Sequence, residues 1–159
     1  MYFSPRAGSV VVQGYRVIIP NDQLMDRSVL TSGDNMLLFE LPFISEPAIL
    51  LNAVFQMRTQ GYKPVLAHPE RYAFWYNDFS KYERMKDCGV LFQFNLVALS
   101  GAYGPQAKQI AVKLIDAGAY ELLGSDRHNM NRVQAIHNML TRPYLHKIIG
   151  SGKLLNATL

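Results

Sequence analysis

From residue 36 onward the chain repeats one unit four times: a short apolar run, a polar loop, an amphipathic stretch and, in three of the four, a closing glycine. No other feature limits the fold as strongly. This is the pattern of successive strand–helix pairs, in which parallel strands are covered by the helices that connect them. The predicted strands occupy residues 36–43, 64–68, 90–95 and 120–126, and all are short and mostly apolar, as strands buried on both faces must be. Between the first two, residues 46–60 set Leu50, Val54 and Met57 on one face, with Ser45 placed as the N-cap and Pro47 in the first turn. The stretch from Phe79 repeats this with Tyr82 and Met85, and the stretch from Pro105 with Ile110, Leu114 and Ile115. Gly61, Gly89 and Gly118 are expected to end these helices as left-handed residues. A fourth helix is expected from Asn131 to about Leu140, because Val133, Ile136, His137 and Leu140 keep the i, i+3, i+4, i+7 spacing, with Pro143 disfavouring its continuation. Ahead of the repeat, residues 1–35 form an N-terminal segment with one expected strand and helix in residues 10–30. The repeat itself fills 36–150, and 151–159 reads as a tail.

Each predicted strand carries a polar residue at or near its C-terminal end: Glu40, His68, Asn95 and Asp126, with His128 two positions further on. In a parallel α/β protein the C-terminal strand ends converge on one rim, where ligands bind. A single His or Asp at a strand end usually caps a loop, but four on the same rim point to a shared site. Carboxylates mixed with imidazoles suit Mn, Fe, Zn or Co, and the absence of clustered cysteines argues against a closed structural zinc site. Glu40 can bridge two ions, His68 and His128 can each donate a neutral ring nitrogen, and Asp126 can hold a cation beside an activated water.

Arg71 and Arg132 follow the two histidines by three and four residues, and a guanidinium fork there would match the oxygens of a phosphate. A surface ion pair, for instance Arg71 with Glu70, is the alternative. Tyr72, Phe74, Trp75 and Tyr76 form an aromatic loop at the same strand end. It is either a substrate wall or a hydrophobic lid packing on the rim, and packing is the expected role.

Composition removes other classes. With 159 residues, 49% of them hydrophobic, the chain can bury a core of its own. The net charge of +4 is a weak pull on anions, and the scattered Lys and Arg make no nucleic-acid surface. One cysteine, Cys88, forms no internal disulfide, so a reducing cytoplasm is expected. The first residues carry no leader pattern, and no run of 18 apolar residues offers a membrane span. A cysteine-dependent phosphatase needs an arginine six residues after its cysteine, where this chain has Phe94. No Gly-x-Ser-x-Gly elbow occurs, and the run from Gly150 to Lys153 is not a complete phosphate loop. Asn156-Ala-Thr158 matches a glycosylation acceptor only by chance.

The words Leu-Leu-Phe-Glu40-Leu-Pro-Phe, Pro-Val-Leu-Ala-His68-Pro-Glu-Arg71-Tyr, Phe-Gln-Phe-Asn95-Leu through Ser100-Gly-Ala-Tyr-Gly104, and Gly-Ser-Asp126-Arg-His128-Asn stand together over about residues 14–145. Jointly they resemble the bacterial protein-tyrosine phosphatases of the PHP (polymerase and histidinol phosphatase) superfamily found in capsular and exopolysaccharide operons. The resemblance implies a partial, distorted TIM-like barrel of the PHP type, with four to five βα units present. It implies a manganese-dependent, multinuclear centre, with Fe, Zn, Co or Mg as alternatives, and a phosphotyrosine substrate on the tail of a partner kinase. Glu40, His68, Asp126 and His128 are the implied metal ligands, Arg71 and Arg132 the catalytic phosphate contacts, and Asn95 a further substrate contact. Three departures stand out: no His-x-His pair precedes residue 36, no carboxylate stands around Gly14-Tyr15, and Arg127 replaces a small residue between Asp126 and His128. An incomplete ligand set and exposed strand edges lead us to expect a homo-oligomer. They also leave open a catalytically inactive relative serving as a binding module.

Overall fold

The four apolar runs form four parallel strands, β3 (Met36–Glu40), β4 (Lys63–Ala67), β5 (Leu91–Asn95) and β6 (Leu122–Gly124). The computed structural model of the chain describes residues 10–12, 15–17, 35–124 and 143–156. Two further strands, β1 (Val10–Val12) and β2 (Tyr15–Val17), pair antiparallel with each other, and β1 pairs antiparallel with β3. The sheet order is β2-β1-β3-β4-β5-β6, a mixed α/β arrangement with a parallel half and an antiparallel edge. A hairpin thus stands where a single strand was expected. Its cause is readable: Val12 pairs with Tyr15, so only Gln13 and Gly14 separate two β-prone triplets. The helix expected in residues 10–30 and the one at 131–140 lie outside the described residues.

The connecting helices are α1 (Leu50–Thr59), α2 (Ser80–Asp87) and α3 (Pro105–Asp116). All three end as their glycines predict, with φ of 87° at Gly61, 77° at Gly89 and 63° at Gly118. In each case the residue after the glycine donates its N–H five residues back, Tyr62 to Met57, Val90 to Met85 and Ala119 to Leu114, which closes a Schellman motif and turns the chain into the next strand.

The start of α1 differs from the expectation. Ser45 is not its cap; the helix begins at Leu50 behind Ile49, with no side-chain cap. Residues 41–46 are engaged elsewhere: the Leu41 N–H donates to the Tyr72 hydroxyl, and the Glu46 carboxylate accepts from the Trp75 indole and from Lys81. Tertiary bonds override the local capping signal. A further helix, α4 (Pro143–Gly150), begins at Pro143, as a proline allows at a first helical position.

Alternation along the strands divides the core. Leu37, Phe39, Leu66 and Phe92 are buried against α1, α2 and the near side of α3, while Phe94 packs with Ala111, Ile115, Tyr120 and Ile148. Met36, Val65 and Leu122 make a smaller cluster on the opposite face. Glu40, Gln93 and Asn95 share strand parity with that less covered face, so alternation sets them opposite the helices. The segment after α4 is bound rather than loose. Leu155 donates to the Glu121 carbonyl at 2.8 Å, and the Asn156 side chain holds both the N–H and the C=O of Leu123, at 2.8 and 3.0 Å.

Burial pushes the hydroxyls of Tyr72 and Tyr82 well above the ordinary tyrosine range, desolvation being the leading cause for both. The folded state therefore keeps protons that the unfolded chain gives up above pH 10. These residues' contribution is complete below pH 10 and is lost as pH rises beyond it, at up to about 1.4 kcal/mol per pH unit for each residue. Urea midpoints measured between pH 8 and 11 should stay level to about pH 10 and then fall.

Candidate functional site

Glu40 closes β3, and His68 follows β4 directly on the neighbouring strand. The parallel register, Phe39 opposite Leu66, brings the two side chains to one rim, with His68 Nε2 3.5 Å from Glu40 Oε1. His68 has φ 37° and ψ 57°, a left-handed conformation that costs a non-glycine residue energy. Its backbone is fixed from both sides, the N–H donating to the Gln93 carbonyl at 2.8 Å and the C=O accepting from the Arg71 N–H at 3.0 Å. The imidazole stacks on Phe43 with ring centroids 5.5 Å apart and leans on Tyr72 at 5.6 Å. Its Nδ1 is buried and has no hydrogen-bond partner among the described residues.

Three residues on, the Arg71 guanidinium contacts two rings, 4.6 Å from the centroid of Phe43 and 4.4 Å from that of Tyr103. Tyr103 is in turn held by Asn95, whose Nδ2 donates to the tyrosine hydroxyl at 3.0 Å. Asn95 Oδ1 accepts from the Val97 N–H, capping the short 3-10 helix Leu96–Ser100, and the Asn95 N–H donates to buried Glu70 at 3.3 Å. The Asn95 amide therefore serves the protein's own scaffold while also lining the site.

The aromatic loop packs as expected. Tyr72 and Trp75 are fully buried, and the Tyr72 hydroxyl accepts from Leu41 N–H and donates to the Ala67 carbonyl, tying the ends of β3 and β4 together. Phe74 and Tyr76 are partly buried against the same core.

Glu40, Ala67, His68, Gln93, Phe94, Asn95 and Gly124 line a cavity of about 170 Å³ at the strand ends. Larger clefts lie between α1 and α2 and beside α4, but the chemistry-bearing residues of the repeat are not in them. Asp126, His128 and Arg132 lie outside the described residues; the description of this part of the chain stops at Gly124 on the cavity wall. Among the described residues no cluster of three metal-ligating side chains forms. Glu40 and His68 fit two donors of a divalent site: one carboxylate and one imidazole converge, and a buried ring nitrogen awaits a polar partner. Such a site can polarise a phosphoryl oxygen, and the neighbouring cation can neutralise its charge.

Phe43, Gln93 and Tyr103 are the site residues that the strand-end reading missed. Gln93 was within reach of it, standing two positions before Asn95 on the same strand face. Phe43 and Tyr103 are ordinary aromatics in loops, and only their meeting on Arg71 gives them a place in the site.

Among proteins of known name, the chain is similar to the tyrosine-protein phosphatase YwqE of Bacillus subtilis (strain 168), 29% identical over 129 residues that make up 80% of this chain and 50% of that protein. It is 26% identical over 121 residues to the putative tyrosine-protein phosphatase CapC of Staphylococcus aureus, covering 76% of this chain and 44% of the relative. The chain thus spans about half the length of the curated relatives it matches. Its structure superposes with a TM-score of 0.59 and 27% identity, over 71% of this chain and 45% of the other, on a chain from the crystal structures of YwqE from Bacillus subtilis and CpsB from Streptococcus pneumoniae, described as unique metal-dependent tyrosine phosphatases. Residues 9–153, nearly the whole sequence and every strand described above, match one family pattern, and by that match the chain belongs to the capsular polysaccharide synthesis family CpsB/CapC.

Proposed function

We propose that this chain acts as a metal-dependent protein-tyrosine phosphatase, hydrolysing phosphomonoesters on a phosphotyrosine protein of capsule or exopolysaccharide synthesis. The observation that carries the reading is the convergence of Glu40, His68 and the ring-held Arg71 at one set of strand ends. Its relatives' names agree with it. In this reading the parallel strands form an arc of a partial, distorted TIM-like barrel, and the ion is manganese. The substrate is the tyrosine-rich tail of a partner kinase in the cytoplasm, and the chain works as a homo-oligomer. No helix among the described residues is long and apolar enough to cross a membrane.

Glu40 and His68 would hold the ion, with Asp126 and His128 as the further ligands. A bound divalent ion supplies Lewis acidity and lowers the pKa of water. The protein does the positioning. Arg71 meets two phosphoryl oxygens with the edge of its planar cation, Arg132 adds a second contact, and Phe43 and Tyr72 shield the His68 ring from water on its sides. Asn95 holds the wall against which the phosphate rests.

A second reading, a binding module without turnover, is favoured by one feature of the sequence: Arg127 sets a positive charge between the implied ligands Asp126 and His128. The test is hydrolysis of p-nitrophenyl phosphate and a phosphotyrosine peptide after chelation, with and without added Mn²⁺, by the protein and its Asp126→Ala variant. Turnover that returns with Mn²⁺ and falls at least about 100-fold in the variant supports the phosphatase. A folded protein that binds the peptide without hydrolysing it supports the module.

A further inference from the structure

Five side chains are linked in a row across the rim. Asn95 donates to the Tyr103 hydroxyl at 3.0 Å, Tyr103 faces the Arg71 guanidinium at 4.4 Å, Arg71 faces Phe43 at 4.6 Å, and Phe43 stacks on His68 at 5.5 Å. The row joins the residue at the end of β5 to the residue after β4 through two rings and one cation, and it passes through both groups assigned to the chemistry.

We propose that Phe43 and Tyr103 are positioning residues that clamp Arg71, with Asn95 as the fastener of one jaw, so that the guanidinium edge is presented to a phosphate at a fixed distance from His68. The inference rests on the phosphate role given to Arg71 above and goes beyond it by naming what orients the arginine. An arginine side chain has several rotatable bonds, and ordering it on ligand arrival lowers affinity. Two ring contacts at 4.6 and 4.4 Å from the guanidinium carbon restrict that freedom in advance. A cation–π contact consumes no N–H donor, and N–H donors are what a bidentate oxyanion contact needs. Both jaws come from loops, Phe43 after β3 and Tyr103 between the short helix at Leu96–Ser100 and α3. Each jaw has an independent anchor: the His68 ring for Phe43 and the buried, capping Asn95 for Tyr103. Both aromatic residues are only partly buried, so they can be replaced without opening the core.

Two measurements on the whole chain decide it. The first is the NMR signal of the Arg71 Nε–H, which the ring currents of the two neighbouring rings should displace from the ordinary arginine position. Phe43→Leu and Tyr103→Leu should each move it back, whereas Phe43→Tyr should largely keep it and Tyr103→Phe, which keeps the ring but loses the Asn95 bond, should fall between. An Arg71 signal at the ordinary position in the unchanged protein overturns the clamp. The second is the affinity for inorganic phosphate, by calorimetry. Each leucine variant should weaken it about tenfold, with Phe43→Tyr close to the unchanged protein and Tyr103→Phe, which loses the Asn95 fastener, between the two. In an Arg71→Ala background the same leucine substitutions should have no further effect, because they act through the arginine. A loss that persists without Arg71 marks a general structural role and overturns the proposal, as does equal phosphate affinity with and without the rings. If the unchanged protein shows the displaced signal but binds no phosphate, the role given to Arg71 fails and the clamp's purpose falls with it.

Discussion

Replacing His68 by alanine is expected to lower kcat/KM toward a phosphotyrosine peptide by at least about 10²-fold, equivalent to roughly 2.7 kcal/mol or more of transition-state stabilisation, because one of two converging donors is removed. The protein should remain folded. A companion variant, His68→Gly, removes the same ring and should be equally inactive, but the two should differ in stability. At φ 37° and ψ 57° an alanine keeps the left-handed strain that glycine escapes, so the glycine variant should be the more stable of the two by about 1 kcal/mol. Steady-state kinetics together with urea denaturation of both variants checks this. Equal stability would mean that the backbone is not strained by its hydrogen bonds to Gln93 and Arg71, and retained turnover would remove His68 from the site. A left-handed histidine at a strand end is a cost that packing alone does not explain, and it aims the imidazole toward Glu40.

The largest loss of stability should come from Trp75→Ala. Trp75 is fully buried, meets Tyr72, Phe74 and Tyr82 edge to face with centroids 5.2 to 5.7 Å apart, and donates its indole N–H to Glu46 at 2.9 Å. Truncation leaves a cavity among rings that cannot all move inward, and removes the indole donor from a carboxylate left to Lys81 alone. A cost of about 3–5 kcal/mol is expected, against a total of about 5–15 kcal/mol for a typical domain. The melting temperature should fall by about 10 °C or more. Phe55, 66% exposed on α1, is the control: its alanine variant should stay within about 0.5 kcal/mol of the unchanged protein. Similar losses in both variants would mean that the aromatic loop does not pack as described.

What the sequence made legible was local. Gly61, Gly89 and Gly118 announce helix ends because a left-handed residue there needs no Cβ, and that requirement does not depend on the rest of the fold. Glu40 and His68 were legible because repetition places strand ends in register. Ser45 misled because its capping potential is weaker than the tertiary bonds that Leu41 and Glu46 make to Tyr72 and Trp75, about 30 residues away. The helix that Pro143 was expected to bound lies outside the described residues, and the same fixed φ suits the first turn of the helix that follows. Nothing in the sequence pairs Phe43 with Tyr103, since their meeting on Arg71 exists only once three loops are assembled. Asn156 was dismissed as a chance sequon, although its amide is matched to a peptide unit rather than to a sugar.

That amide has a consequence for how the molecule meets its neighbours. At Leu123 the outer strand of the sheet offers an incoming chain neither a donor nor an acceptor, because one asparagine side chain already fills both places in imitation of a further strand. The β6 border is thereby closed as a template for cross-molecule strand addition at the position where a short apolar edge would be most prone to recruit one. Lengthening of the described sheet past β6 is accordingly blocked at Leu123.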